Sequence, residues 1–159
     1  MKKFKLEIKW AILFTLFSLV WMLLEKSIGL HDIYIDKHPI YTNLFAIPAI
    51  LIFVFALKEK KKFYFNNSMS WTQGFVTGLF ISILIMILSP MAMYIVYSYI
   101  TPEYFKNAMN YAVENKLMTR ETAELYFSLK SYIIQSSIGG LSMGVVTSAI
   151  VALFVKTKS

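Results

Sequence analysis

The sequence predicts an all-α integral membrane protein: a four-helix bundle that carries an amphipathic helical hairpin between its third and fourth spans on the outer face. Three observations predict it. The 159 residues are 57% hydrophobic, 16% aromatic and only 16% charged, too little polar surface to cover a soluble globule of that size. The apolar residues gather into four stretches, each near or above the ~20 residues a helix needs to cross ~30 Å of hydrocarbon. The polar segments between them alternate in charge. The chain has no cysteine, which excludes disulfides, thiolate zinc sites, iron–sulfur clusters and cysteine nucleophiles together. With no catalytic or cofactor motif, the expectation is one membrane domain over residues 1–159 that is not an enzyme, takes no cofactor and binds no nucleic acid.

The first span is expected over 8–26. Lys2, Lys3, Lys5 and Lys9 precede or open it, as in a signal peptide. The apolar run continues through Trp21 to Glu25-Lys26-Ser27 without a small-x-small cleavage site, so an uncleaved helix is predicted. The second span, 40–57, has a polar start in Tyr41, Thr42 and Asn43, and the third, 72–100, and fourth, 132–155, are longer.

Three segments are basic: the one before the first span, the run Lys58, Lys60, Lys61, Lys62 after the second, and Lys156 and Lys158 after the fourth. An excess of lysine in short segments marks the cytoplasmic side. Both chain ends are therefore expected inside a bacterial inner membrane, with Lys58, Lys60, Lys61 and Lys62 near anionic lipids. Trp10 and Trp71 fall at the inner interface of that frame, and Trp21, Tyr41, Tyr97, Tyr99 and Tyr132 near the outer one.

The connection over 102–131 reads as the helical hairpin. Thr101-Pro102-Glu103 supplies a capping hydroxyl, a proline for the first turn and an acid favoured by the dipole. Tyr104, Phe105, Ala108, Met109, Ala112 and Val113 then recur at helical spacing on one face. Thr119 can cap a second helix, with Arg120 and Glu124 one turn apart as an exposed pair. Such a hairpin either shields the bundle in the headgroup region or receives a partner; shielding is the simpler expectation.

Small residues form the sharpest pattern. Ser136, Gly140, Gly144, Ser148 and Ala152 recur every four positions of the fourth span, and Gly74, Gly78 and Ser82 do so in the third. On antiparallel helices Gly74 meets Ala152, Gly78 meets Ser148 and Ser82 meets Gly144, so close packing within the chain is preferred over a homodimer face. Pro48 and Pro90 are expected to kink the second and third spans, and broken helices can build transport sites. Spans two to four nevertheless carry no charged residue or histidine between the interfaces, which ion-coupled carriers usually need.

Glu25, His31, Asp32, Asp36 and His38 share the first outer loop. Imidazole plus carboxylate is a ligand set for divalent metals, and His31, Asp32, Asp36 and His38 are the residues a metal would use. Their spacing matches no standard signature, and loop and capping roles explain them, so no metal site is predicted.

The segments from Lys9 to Leu16, Met22 to Lys26, Gly29 to Asp32, Asp36 to His38, Tyr41 to Ala46 and Ile100 to Phe105 together resemble a bacterial membrane family, the domain of unknown function DUF4199. The resemblance covers nearly the whole chain. It implies a four-helix inner-membrane protein of the Bacteroidetes type and supplies no activity, ligand or catalytic residue. The functional expectation is a non-enzymatic interaction or assembly component, with a membrane-protein partner or a second copy bound alongside. A small transporter using the proline-kinked spans is the alternative, and a metal-dependent first outer loop the second.

Overall fold

A computed structural model describes residues 4–157. Its helices are α1 Lys5–Ser27, α2 His38–Tyr41, α3 Ala46–Tyr64, α4 Trp71–Ile95, α5 Tyr104–Glu114, α6 Arg120–Tyr126 and α7 Leu129–Val155, and no strand occurs among the described residues. A 3-10 turn over Thr42–Phe45 joins α2 to α3, and α4 runs on into a π turn over Val96–Ile100. Four stretches are long and apolar enough to cross a membrane: Lys5–Ser27, His38–Tyr64, Trp71–Ile100 and Leu129–Val155.

The second of these outlasts its apolar run because Lys58 to Lys62 stay helical. Lysine and glutamate are good helix formers, and lysines near a helix C-terminus complement the dipole. The expected start of α5 moves. Thr101 caps nothing; its N–H closes the π turn onto the Val96 carbonyl at 2.8 Å, which leaves helix formation to begin three residues later at Tyr104. Side-chain oxygens cap three helices: Ser70 in a reciprocal capping box with Gln73 for α4, Thr119 for α6 and Ser128 for α7. Ser128 starts the last span at Leu129, ahead of the expected 132.

Two cores share the bundle. One, toward the basic end that holds Lys58 to Lys62, is mainly aliphatic: Ala11, Leu57, Ile81, Val151 and Val155, with Phe53, close around the α4–α7 pair. The other, at the hairpin end, is aromatic, with Val96, Tyr97, Tyr104 and Ala108 packed under α5. The buried face of α5 is Tyr104, Ala108 and Ala112, one helical turn apart, which turns Lys106, Asn110 and Glu114 away from the core. Arg120 and Glu124 pair at 2.8 Å on the exposed side of α6.

Candidate functional site

At the hairpin end, α1 stops in a left-handed turn. Gly29 has φ +81, its N–H bonds the Lys26 carbonyl at 3.0 Å, and the Leu30 N–H reaches back to the Glu25 carbonyl at 3.0 Å. This paired closure ends many helices, and the glycine is required: a Cβ there would lie 2.8 Å from Ile33 Cγ1 in a conformation L-residues avoid. Leu30 is buried against the turn. The reversal lays residue 31 over the last turn of α1, so His31 Nε2 comes 3.3 Å from Glu25 Oε2.

His38, at the first position of α2, approaches the same oxygen with its Nε2 at 3.5 Å. Glu25 and His31 are 1% and 2% exposed, and the His38 side chain 14%. Trp21, one turn before Glu25, donates its indole N–H to the other carboxylate oxygen at 2.6 Å. The hairpin roofs the cluster. Tyr104 Oη lies 3.3 Å from His38 Nδ1 and 3.2 Å from Tyr132 Oη, and the Asn107 amide donates to the His31 carbonyl at 3.0 Å. Burial first, then the neighbouring Tyr132 and Tyr97 phenols and the Glu25 carboxylate, push the Tyr104 hydroxyl above its ordinary range, so it stays protonated.

Loop and capping roles do not describe these three residues: the turn folds Glu25 and both histidines inward. Asp32 and Asp36 are not brought to them. Both are exposed, and Asp32 accepts from the Ile33 N–H at 2.6 Å instead.

The small residues meet as the antiparallel register places them up to a point. A Cβ on Gly74 would sit 3.1 Å from Ala152 Cβ, one on Gly78 2.6 Å from Ser148 Cβ, and one on Gly144 2.7 Å from Ser82 Cβ. The Ser82 and Ser148 hydroxyls bond carbonyls of their own helices, at Gly78 and Gly144, so no polar group is stranded in the contact. Gly140 departs from the stripe: nothing lies within 4 Å of its Cβ position. Continued at the same spacing, the register brings Met86, not a small residue, level with Gly140. Further along, Ser89 and Ser136 share a hydrogen bond at 2.9 Å between the two helices.

An apolar cleft of about 280 Å³ lies between α1, α3, α4 and α7, with Phe14, Phe45, Phe53, Ile85, Gly140 and Met143 among its walls. Pro48 stands in the first turn of α3, where a missing N–H costs little, and Pro90 lies within an uninterrupted α4 whose irregularity is the π turn beyond it.

The match that decides kinship spans residues 9–157, to the family described as "Protein of unknown function (DUF4199)". The chain belongs to that family. No curated protein and no solved structure matches it.

At its basic end the DUF4199 chain uses its lysines unequally. Lys58 and Lys62 are exposed. Lys60 is buried, its ammonium 2.7 Å from Glu7 Oε1 and 3.9 Å from the Tyr64 ring centre, and Lys61 donates to the Val155 carbonyl at 2.9 Å. Lys60 is thereby withdrawn from the lipid-facing set expected for it, because pairing with Glu7 satisfies it inside. Lys9 and the Trp10 indole both reach Glu59, at 2.7 and 2.8 Å. Sequence reasoning missed Tyr104 and Asn107 as partners of the histidines, Tyr132 as the partner of Tyr104, and Glu7 as the partner of Lys60. For Glu7, the one signal is a lone acid among the lysines that open the chain.

Proposed function

We propose that this DUF4199 protein is a non-enzymatic component of the bacterial inner membrane, both chain ends cytoplasmic, that associates with another transmembrane helix at the cleft beside Gly140. The observation that carries this is the bare surface of α7 at the cleft: Gly140, which lines it, has no atom within 4 Å of its Cβ position. Small residues let helix backbones approach closely in lipid, and here no helix of the chain takes up the approach. Thr42, Asn43 and Thr147 add hydroxyls and an amide to the lining, groups a helix can hydrogen-bond and an acyl chain cannot. For the alternative of transport, the Thr77, Ser82 and Ser142 hydroxyls donate to carbonyls of their own helices, a structural use of these groups.

A photoreactive side chain at Met143, on the cleft, is expected to yield an adduct of protein mass in intact membranes. The same group at Phe154, 84% exposed at the far end of α7, is expected to capture lipid. Lipid adducts alone at Met143, or the same protein adduct from both positions, would overturn association at the cleft.

Orientation has its own test. A cysteine replacing the exposed Lys62 should resist a membrane-impermeant maleimide in intact cells, and one replacing Glu121 on α6 should react. The opposite labelling would invert the topology.

A further inference from the structure

We propose that Glu25, His31 and His38 form a binding site for one divalent transition-metal ion of the zinc class, independent of the association surface at the cleft. One donor atom from each lies within 4.8 Å of the other two. The distances from Glu25 Oε2 to the two imidazole Nε2 atoms are 3.3 and 3.5 Å. They are long for charge-assisted N–H···O bonds, which sit at ~2.7–2.9 Å. They match the edge of a coordination tetrahedron: metal bonds of ~2.0–2.1 Å place neighbouring ligand atoms ~3.3–3.4 Å apart. Two other contacts to buried carboxylates of the same protein close more tightly, at 2.6 Å from the Trp21 indole to Glu25 and 2.7 Å from Lys60 to Glu7.

The hydrogen-bond accounting points the same way. His38 Nε2 and His31 Nδ1 are buried without a hydrogen-bond partner among the described residues, and His38 Nε2 is aimed at the carboxylate. A His38 Nδ1–H donated to Tyr104 Oη leaves the Nε2 lone pair facing an anionic oxygen, an arrangement that a cation between them makes favourable. Two imidazoles and one carboxylate suit zinc, cobalt or ferrous iron and disfavour calcium and magnesium, which prefer all-oxygen shells. Supporting groups are in place: Trp21 holds the far carboxylate oxygen, Tyr104 meets the distal nitrogen of His38, and Asn107 fixes the His31 backbone. The ion would pin the end of α1, the following turn and the start of α2 under the hairpin.

Titration of the chelator-treated full chain in mild detergent with cobalt(II) tests the site. One equivalent is expected to bind with the intense d–d bands of a low-coordinate centre, and zinc should displace it. His38→Gln should abolish the bands, Trp21→Phe should weaken binding 10–100-fold by freeing the carboxylate, and Asp32→Asn with Asp36→Asn should change nothing. The wild-type spectrum needs no variant to fold, and the Asp variants check that exposed acids are not the ligands. Absence of binding, weak octahedral bands, or binding that survives His38→Gln would each overturn the assignment.

Discussion

Gly78→Leu and Gly144→Leu are each expected to cost the bundle ~3 kcal/mol or more, the upper end of what overpacking of a close-packed interior produces. The obstruction at Gly78 includes backbone: a Cβ there would stand 2.6 Å from Ser148 Cβ and 3.2 Å from Ser148 Cα, so relief requires moving α7 itself. At Gly144 the obstacle is Ser82 Cβ at 2.7 Å, whose hydroxyl is already committed to the Gly78 carbonyl and cannot swing clear without stranding it. Because α4 and α7 form the principal helix pair, displacing either also opens the aliphatic core around Ile81 and Val151. Gly140→Leu, by contrast, enters open space and should leave the thermal midpoint of the purified chain within about 1 °C while abolishing the Met143 adduct. The partly buried Leu141, changed to Ala, should fall between these extremes. Thermal unfolding of the four variants in one detergent decides the matter. A Gly140→Leu midpoint as low as that of Gly78→Leu would mean that the stripe is one continuous contact after all.

The same residues show how far sequence reasoning reaches. Period-four spacing of small residues on two antiparallel helices sets their register, so the three pairs from Gly74 to Gly144 can be written down without coordinates. Where the contact ends cannot be read from the stripe alone, because that depends on the residue opposite. In that register the residue level with Gly140 is Met86, and the small-residue pairs stop at Gly144. The spans themselves are legible from hydropathy, while their ends move by a few residues wherever a cap or good helix formers extend them, as Ser128 does for α7 and the lysine run for α3.

The Glu25–His31–His38 cluster was half legible. All three residues stand in one short stretch, but their spacing fits no ligand motif, and exposed aspartates in the same loop are chemically as eligible. Gly29 is the discriminating signal. A glycine closing α1 folds residue 31 back over Glu25 and leaves Asp32 outside, which turn chemistry can predict once the helix end is known. The roof from Tyr104, Asn107 and Tyr132 depends on tertiary contacts at least 66 residues away from the histidines, and nothing local encodes it.

Lys60→Met should lower stability by ~3–5 kcal/mol, the cost of leaving a buried charge without its counter-ion. Glu7 is 3% exposed, one of its oxygens takes the Lys60 ammonium at 2.7 Å, and the other has no hydrogen-bond partner among the described residues. Losing Lys60 therefore abandons a carboxylate already short of partners. Replacing both members, as Glu7→Leu with Lys60→Met, removes the charge along with its need and should recover most of the loss, since apolar side chains of similar volume often substitute for a buried pair at little net cost. Lys9→Met is the control: its partner Glu59 keeps the Trp10 indole, Lys9 itself is half exposed, and the expected change is below ~1 kcal/mol. Denaturant titration in detergent of the single variants and the double variant completes the cycle. A double variant as unstable as Lys60→Met alone would show that Lys60 acts through its packing and its contact with Tyr64, with the Glu7 charge contributing nothing to the coupling.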